Sequence, residues 1–143
     1  MGNTRVSKNV RFLLYHKQNT SARTLFLKLK GGHVLMPEPL PFLSSPLKAV
    51  TPGGVHPATL GLSLAESLGW PSELLEVDPD FHEGVETPTG IVDIHLARFT
   101  TIDPPHLWVS ETVGAFCAIT ELRGGHPVEM AMLRKSYEHI LGG

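Results

Sequence analysis

The sequence predicts a mixed α/β domain of the α+β type, in which a central mixed sheet carries one helix on each face. Two observations support this fold class. The chain opens with segments in which apolar and polar residues alternate, as in strands, and it later shows two segments with the apolar spacing of amphipathic helices. The chain has 143 residues and no internal repeat, so residues 1–143 are expected to form a single domain.

The first predicted strands lie close together in the chain. Apolar residues alternate over residues 10–15 and again over residues 25–30, and the polar stretch between them indicates a hairpin. A Gly-Gly pair then breaks the pattern, and residues 33–36 are compatible with a short third strand. These segments are expected to form one half of the sheet.

A proline-rich segment, residues 37–57, separates these strands from the first helix. Its prolines fix the backbone and remove hydrogen-bond donors, so neither a helix nor a central strand is expected to persist there. Such a loop can border a ligand site, form a packed flap or make a dimer contact. We predict an ordered loop because these apolar residues need burial: Leu40, Phe42, Leu43, Leu47 and Val50.

Two helices are predicted in the rest of the chain. The first covers residues 58–68, and Gly69 suits the left-handed position at its end. The second covers residues 126–141, with Pro127 in its first turn and Glu129 placed to complement the helix dipole. Its predicted buried stripe is Met130, Leu133, Tyr137 and Ile140.

The second half of the sheet is predicted from two further strands. Residues 91–102 give the clearer strand pattern, and residues 113–119 give a shorter one. Residues 78–90, which are acidic and contain proline and glycine, are predicted to form a turn region before the first of them.

Composition narrows the class of protein. The hydrophobic share of 41% and the charged share of 18% are those of a globular protein. No apolar run approaches the roughly 20 residues that span a bilayer, and the polar start of the chain does not resemble a secretory signal. Because Cys117 is the only cysteine, no intramolecular disulfide is possible, and we expect a cytoplasmic protein.

The net charge of -2 hides an uneven distribution of charge. The first 37 residues contain cations and no acidic residue, and such a basic stretch can bind phosphate or nucleic acid. The cations interleave with apolar residues, so we interpret them as the solvated faces and ends of two strands. No nucleic-acid-binding motif supports binding of nucleic acid. The cations that precede the first acidic residue, Glu38, are Arg5, Lys8, Arg11, Lys17, Arg23, Lys28 and Lys30.

Residues 51–70, TPGGVHPATLGLSLAESLGW, resemble a shortened Nudix box. In that family the motif starts at a glycine turn and ends on a helix that carries a cluster of metal-binding glutamates. Glu66 matches one of these glutamates, and the closing glycine is also present. The resemblance implies a Nudix-like α/β/α sandwich in which Gly53 and Gly54 shape a phosphate-binding turn.

The same stretch departs from the family at the metal site. Ser63 and Ser67 stand where the family has two further glutamates, and Leu62 stands where it has an arginine. Magnesium is the cofactor that the resemblance implies, but one carboxylate flanked by hydroxyls holds it poorly. The resemblance leaves Glu66 as metal ligand and catalytic carboxylate, with Glu111 as a second catalytic candidate. From the residues alone, the preferred interpretation of both is a solvated surface glutamate.

The histidines and the single cysteine suggest two other kinds of site, a transition-metal site and a reactive thiol. Asp93 and His95 share one strand face, and His82 and Glu83 precede them, which is compatible with a transition-metal site. No metal-binding motif supports that site, so a polar, solvent-facing strand side is the preferred interpretation. Cys117 has no basic neighbour in sequence and is interpreted as a buried, inert thiol.

The leading functional hypothesis follows from the resemblance. A Nudix-like domain would bind a nucleotide or another phosphorylated small molecule between the sheet and the proline-rich segment, with Arg98 or lysines near the start of the chain neutralising phosphate charge. The alternative is a non-catalytic interaction module, in which residues 40–50 contact a partner or a second copy to form a homodimer. The sequence leaves open whether the protein is an enzyme.

Overall fold

The computed structural model of the protein describes residues 10–18, 23–48 and 56–142. The strands are β1 (Val10–Lys17), β2 (Thr24–Leu29), β3 (Leu35–Met36), β4 (Ser45–Pro46), β5 (Leu75–Thr87), β6 (Gly90–Phe99) and β7 (Gly114–Cys117). The helices are α1 (Pro57–Leu68) and α2 (Pro127–Gly142), and single 3-10 turns lie at Ser72–Leu74 and Ile119–Glu121.

The strands form one mixed sheet. Six of them follow the order β4-β5-β6-β1-β2-β7, and β3 also pairs with β1. β1 runs parallel to β6, in a register that joins Val10 to Asp93 and Tyr15 to Arg98. The other pairings of the described strands are antiparallel, so the predicted mixed sheet is confirmed.

The two helices pack on opposite faces of this sheet. On the α2 face, Leu13 of β1 and Ile94 of β6 pack in one buried cluster with Leu133 of α2. On the α1 face, Phe12 packs in a second cluster with Leu64 of α1. The two clusters separate because successive side chains of a strand point to opposite faces. The predicted helix-sheet-helix sandwich is confirmed.

Both helices lie where the sequence predicts them, within one residue at each end. Gly69 ends α1 in the left-handed conformation, with φ 71°. In α2, Leu133 and Ile140 are buried as expected, whereas Met130 and Tyr137 are only half-buried. No helix of the described residues has the length and apolar character needed to cross a membrane.

The turn predicted over residues 78–90 is wrong, because most of this stretch belongs to β5. The pairing of β5 with β6 shifts register between Val77 and His82, and the proline and acidic residues that suggested a turn lie around this irregularity. Phe81 within this irregularity and Val85 after it are both buried on the α2 face. The residues of this stretch have a low intrinsic preference for strand, and pairing with β6 and burial outweigh it.

The proline-rich segment is buried only in part. Leu40 is buried as predicted, and Leu47 is half-buried. The burial predicted for Phe42 and Leu43 is wrong, because their exposed fractions are 90% and 70%. After Leu40 the chain leaves the core for the edge of the sheet, where β4 pairs with β5. Val50 lies outside the described residues.

Candidate functional site

A cavity of about 680 Å³ lies between the sheet and the proline-rich segment. One wall comes from the α2 face of the sheet and from the turn that joins β5 to β6. The opposite wall is residues 38–41. We call this space the Arg11 cavity, and its lining residues are Arg11, Glu38, Pro39, Leu40, Pro41, Thr87, Thr89 and Val92.

Arg11 brings a buried positive charge to this cavity. The alternation of β1 turns Arg11 to the α2 face, and its side chain is only 6% exposed. Its Nη1 donates to the carbonyl of Val10 at 3.1 Å, and its Nη2 lies 3.7 Å from Glu38 Oε2. Burial lowers the pKa of Arg11 while the nearby carboxylates of Glu38 and Glu129 raise it. An arginine remains protonated in proteins, so the charge persists despite burial.

Glu129 fixes the opposite wall of the cavity from the first turn of α2. Glu129 is only 1% exposed. Its Oε1 accepts the backbone N–H of Val34 at 3.1 Å, and its Oε2 accepts that of Leu40 at 3.0 Å. A buried carboxylate that accepts two such bonds is costly to disturb. The sequence predicts only an interaction of Glu129 with the helix dipole, and no local pattern indicates these two partners.

His126, at the start of α2, also binds the wall formed by residues 38–41. Its Nδ1 accepts the N–H of Val128 at 3.1 Å, so the ring proton lies on Nε2. Nε2 then donates to the carbonyl of Pro41 at 2.8 Å. Together, His126 and Glu129 hold residues 34–41 against the first turn of α2.

Arg98, the predicted phosphate-binding arginine, lies on the same face of the sheet as Arg11 but does not reach the Arg11 cavity. It is four residues beyond Ile94, the register partner of Arg11, about 13 Å along β6. Its Nη2 donates to Glu76 Oε1 at 3.1 Å, and both side chains are substantially exposed. Arg98 borders a separate cavity of about 370 Å³ with Tyr15 and Glu76.

The other predicted site residues lie in different parts of the chain, and two of them can be placed on the fold. Glu66 is exposed on α1, and Glu111 is exposed in the loop before β7. Gly53 and Gly54 lie outside the described residues. Within residues 10–18, 23–48 and 56–142, no three His, Cys, Asp or Glu side chains are arranged to hold a metal ion.

A second polar cluster lies on the α1 face. His82 Nε2 is 2.8 Å from Asp93 Oδ1, and the rings of His82 and His95 stack at 4.9 Å between centroids with 12° between their planes. The predicted solvent-facing strand side is wrong for His95, which is 5% exposed, and burial lowers its pKa. Stacked rings do not converge on one ion, so this grouping gives no metal site.

Cys117 is half-buried in β7, so the full burial predicted for it is wrong. Burial, followed by the charge of Glu121, raises the pKa of its thiol. A raised pKa keeps the sulfur protonated at neutral pH, and a thiol is a far weaker nucleophile than a thiolate. These features support the interpretation of Cys117 as an unreactive residue.

Comparison with known proteins gives a likeness of fold. No family model matches the chain, and no curated protein matches it. Among solved structures, the crystal structure of C. elegans Ap4A hydrolase matches with a TM-score of 0.53 and 18% sequence identity, over 92% of this chain and 97% of that chain. At that identity the match shows the fold alone, and it identifies the mixed sheet with its two helices as an α+β architecture consistent with the Nudix-like fold.

Proposed function

We propose that this domain binds a nucleotide or another phosphorylated small molecule in the Arg11 cavity, without magnesium-dependent hydrolysis. The observation that carries the proposal is the buried guanidinium of Arg11 in a cavity between two fixed walls. An arginine fork matches two phosphate oxygens, and its attraction for an anion is stronger in a partly buried site than in water.

The rest of the cavity suits the uncharged part of such a ligand. Its volume of about 680 Å³ lies within the range of small-molecule sites. Leu40 and Val92 offer buried apolar surface for a base or a similar flat group. On the sheet side, Thr87 Oγ1 donates to Gly90 O at 2.7 Å and holds the β5–β6 turn in place. The likeness to an Ap4A hydrolase makes nucleotides the first compounds to examine.

The proposed lack of magnesium-dependent hydrolysis is supported by the residues of α1. Holding the metal on that helix needs several carboxylates, and Glu66 stands between the uncharged Ser63 and Ser67. Ser67 Oγ donates to the carbonyl of Leu64 at 2.7 Å, so its hydroxyl is engaged within the helix. Binding through Arg11 needs no metal.

A ligand panel measured by thermal unfolding tests the proposal. AMP, ADP, ADP-ribose and Ap4A are compared with adenosine, which lacks phosphate. A ligand at a hundred times its Kd adds about 2.7 kcal/mol of stability, so binding gives a clear rise in Tm. We expect the phosphorylated compounds to raise Tm and adenosine to have little effect.

Two matched variants locate the site. Arg11→Lys keeps the charge but removes the fork, and we expect it to weaken binding about tenfold, as for the loss of one charge-assisted hydrogen bond. Arg98→Lys makes the same change at the other cavity and is expected to bind as the unmodified protein does. Urea unfolding checks that both variants fold. No response to any phosphorylated compound, or a loss of binding confined to Arg98→Lys, contradicts the proposal.

A further inference from the structure

The position of Glu38 beside Arg11 differs from that of an ordinary ion pair. The Nη2–Oε2 distance of 3.7 Å is longer than the 2.7–2.9 Å typical of a charge-assisted hydrogen bond. The Glu38 side chain is 62% exposed, whereas that of Arg11 is 6% exposed. A solvated carboxylate thus lies against a buried cation at the mouth of the Arg11 cavity.

The two carboxylates near Arg11 are held very differently. Glu129 is buried and accepts two backbone N–H groups, so moving it would strand both donors. Glu38 is largely in water already, so its departure from Arg11 costs little. Only Glu38 is free to leave.

We infer that Glu38 holds the position on Arg11 that an anionic ligand takes, and that it moves into solvent when the ligand binds. The inference rests on the proposed function and adds that the Glu38 carboxylate competes with the anionic group of the ligand for Arg11. Before a phosphate arrives, the charge of Arg11 already interacts with the carboxylates of Glu38 and Glu129, which raise its pKa. An incoming phosphate is repelled unless one carboxylate leaves. Glu38 therefore lowers the affinity of the site and selects ligands whose anionic group outcompetes a carboxylate.

Glu38→Gln tests this competition by removing the negative charge while keeping the shape of the side chain. We expect the Kd for AMP, measured by calorimetry, to fall roughly threefold to fivefold, the factor that corresponds to an exposed ion pair. Inorganic phosphate should gain by a similar factor. Adenosine, without an anionic group, should bind equally to both proteins.

Glu76→Gln is the matched control. Glu76 is 66% exposed and pairs with Arg98 at 3.1 Å, so its replacement changes the net charge by the same amount and frees the other arginine. We expect it to leave the Kd for AMP within about 1.5-fold of the original, because exposed charges beyond a Debye length of about 8–10 Å are screened.

The outcomes separate the two proposals. If AMP binds the unmodified protein and Glu38→Gln binds it equally or more weakly, the inference is overturned and the proposed function stands. An equal gain in Glu76→Gln also overturns it, because the effect would then come from net charge alone. If AMP, ADP, ADP-ribose and Ap4A all fail to bind the unmodified protein and Glu38→Gln, both fail together.

Discussion

The helices on the two faces of the sheet begin with the same local structure but differ in what their first turns contact. Each helix starts at a His-Pro pair, and each histidine Nδ1 accepts the amide two residues later, His56 in α1 and His126 in α2, both at 3.1 Å. Three residues into α2, Glu129 is buried and bonded to the proline-rich segment. Six residues into α1, Leu62 is 46% exposed. The start of a helix is set locally, but its role is set by what its first turns contact.

The faces differ in their polar groups as well. On the α2 face, the buried charge of Arg11 meets a cavity with fixed walls. On the α1 face, the polar groups His82 and Asp93 bond to each other and are half-buried. A charge that is both buried and open to a cavity is the stronger indication of a ligand site, because burial is costly and is rarely retained without a use.

The largest effect is expected in the core of the α2 face. Leu133 is 1% exposed within that cluster, so Leu133→Ala should lower the free energy of unfolding by about 2–5 kcal/mol. Leu62→Ala on α1 makes the same chemical change at a site that is 46% exposed and should cost less than about 0.5 kcal/mol. Urea unfolding measures both. Equal losses would show that Leu62 is buried as deeply as Leu133, contrary to its exposed position on α1.

The next effect concerns the carboxylate that joins α2 to the proline-rich segment. Glu129→Gln replaces one acceptor by a donor, which leaves the N–H of Val34 or Leu40 without its partner. We expect a loss of about 1–3 kcal/mol in the free energy of unfolding. Limited proteolysis should also become faster within residues 34–41, because cleavage needs a mobile backbone.

Glu38→Gln is the control for this change, since it makes the same chemical change at an exposed position within the segment that Glu129 contacts. It should leave both the free energy of unfolding and the rate of proteolysis nearly unchanged. A Glu129→Gln protein that is as stable and as resistant as this control would mean that the segment is held by other contacts, with His126 the first to examine.

The sequence predicts the elements of this fold better than its site. Alternation in β1 and β2 and the apolar spacing of both helices are local signals, and the structure follows them. β5 is missed because its register shift and its pairing with β6 are tertiary features. Arg11 is predicted only as one of several solvated cations. The role that we propose for Arg11 depends on a cavity formed with residues 38–41, and no spacing along β1 reveals that contact.

The smallest effect is expected at Glu66 of α1, the residue that aligns with a glutamate in the resemblance to a Nudix box. The residue is exposed, so Glu66→Gln should change the free energy of unfolding by less than about 0.5 kcal/mol. It should also leave the binding of AMP unchanged, because Glu66 does not line the Arg11 cavity. Thermal unfolding with and without AMP measures both quantities.

Glu66→Gln is most informative when the hydrolysis of nucleotide substrates is measured. The unmodified protein with magnesium is expected to release almost no AMP from ADP-ribose or Ap4A, because Ser63 and Ser67 supply no charge for the metal. Turnover near 1 per second, ordinary for an enzyme, would refute that expectation. Loss of such turnover in Glu66→Gln would mean that other carboxylates, Glu111 among them, complete a metal site with Glu66. Turnover that survives Glu66→Gln would instead show that the alignment of residues 51–70 with the Nudix box is mistaken, and that the fold is shared without the motif.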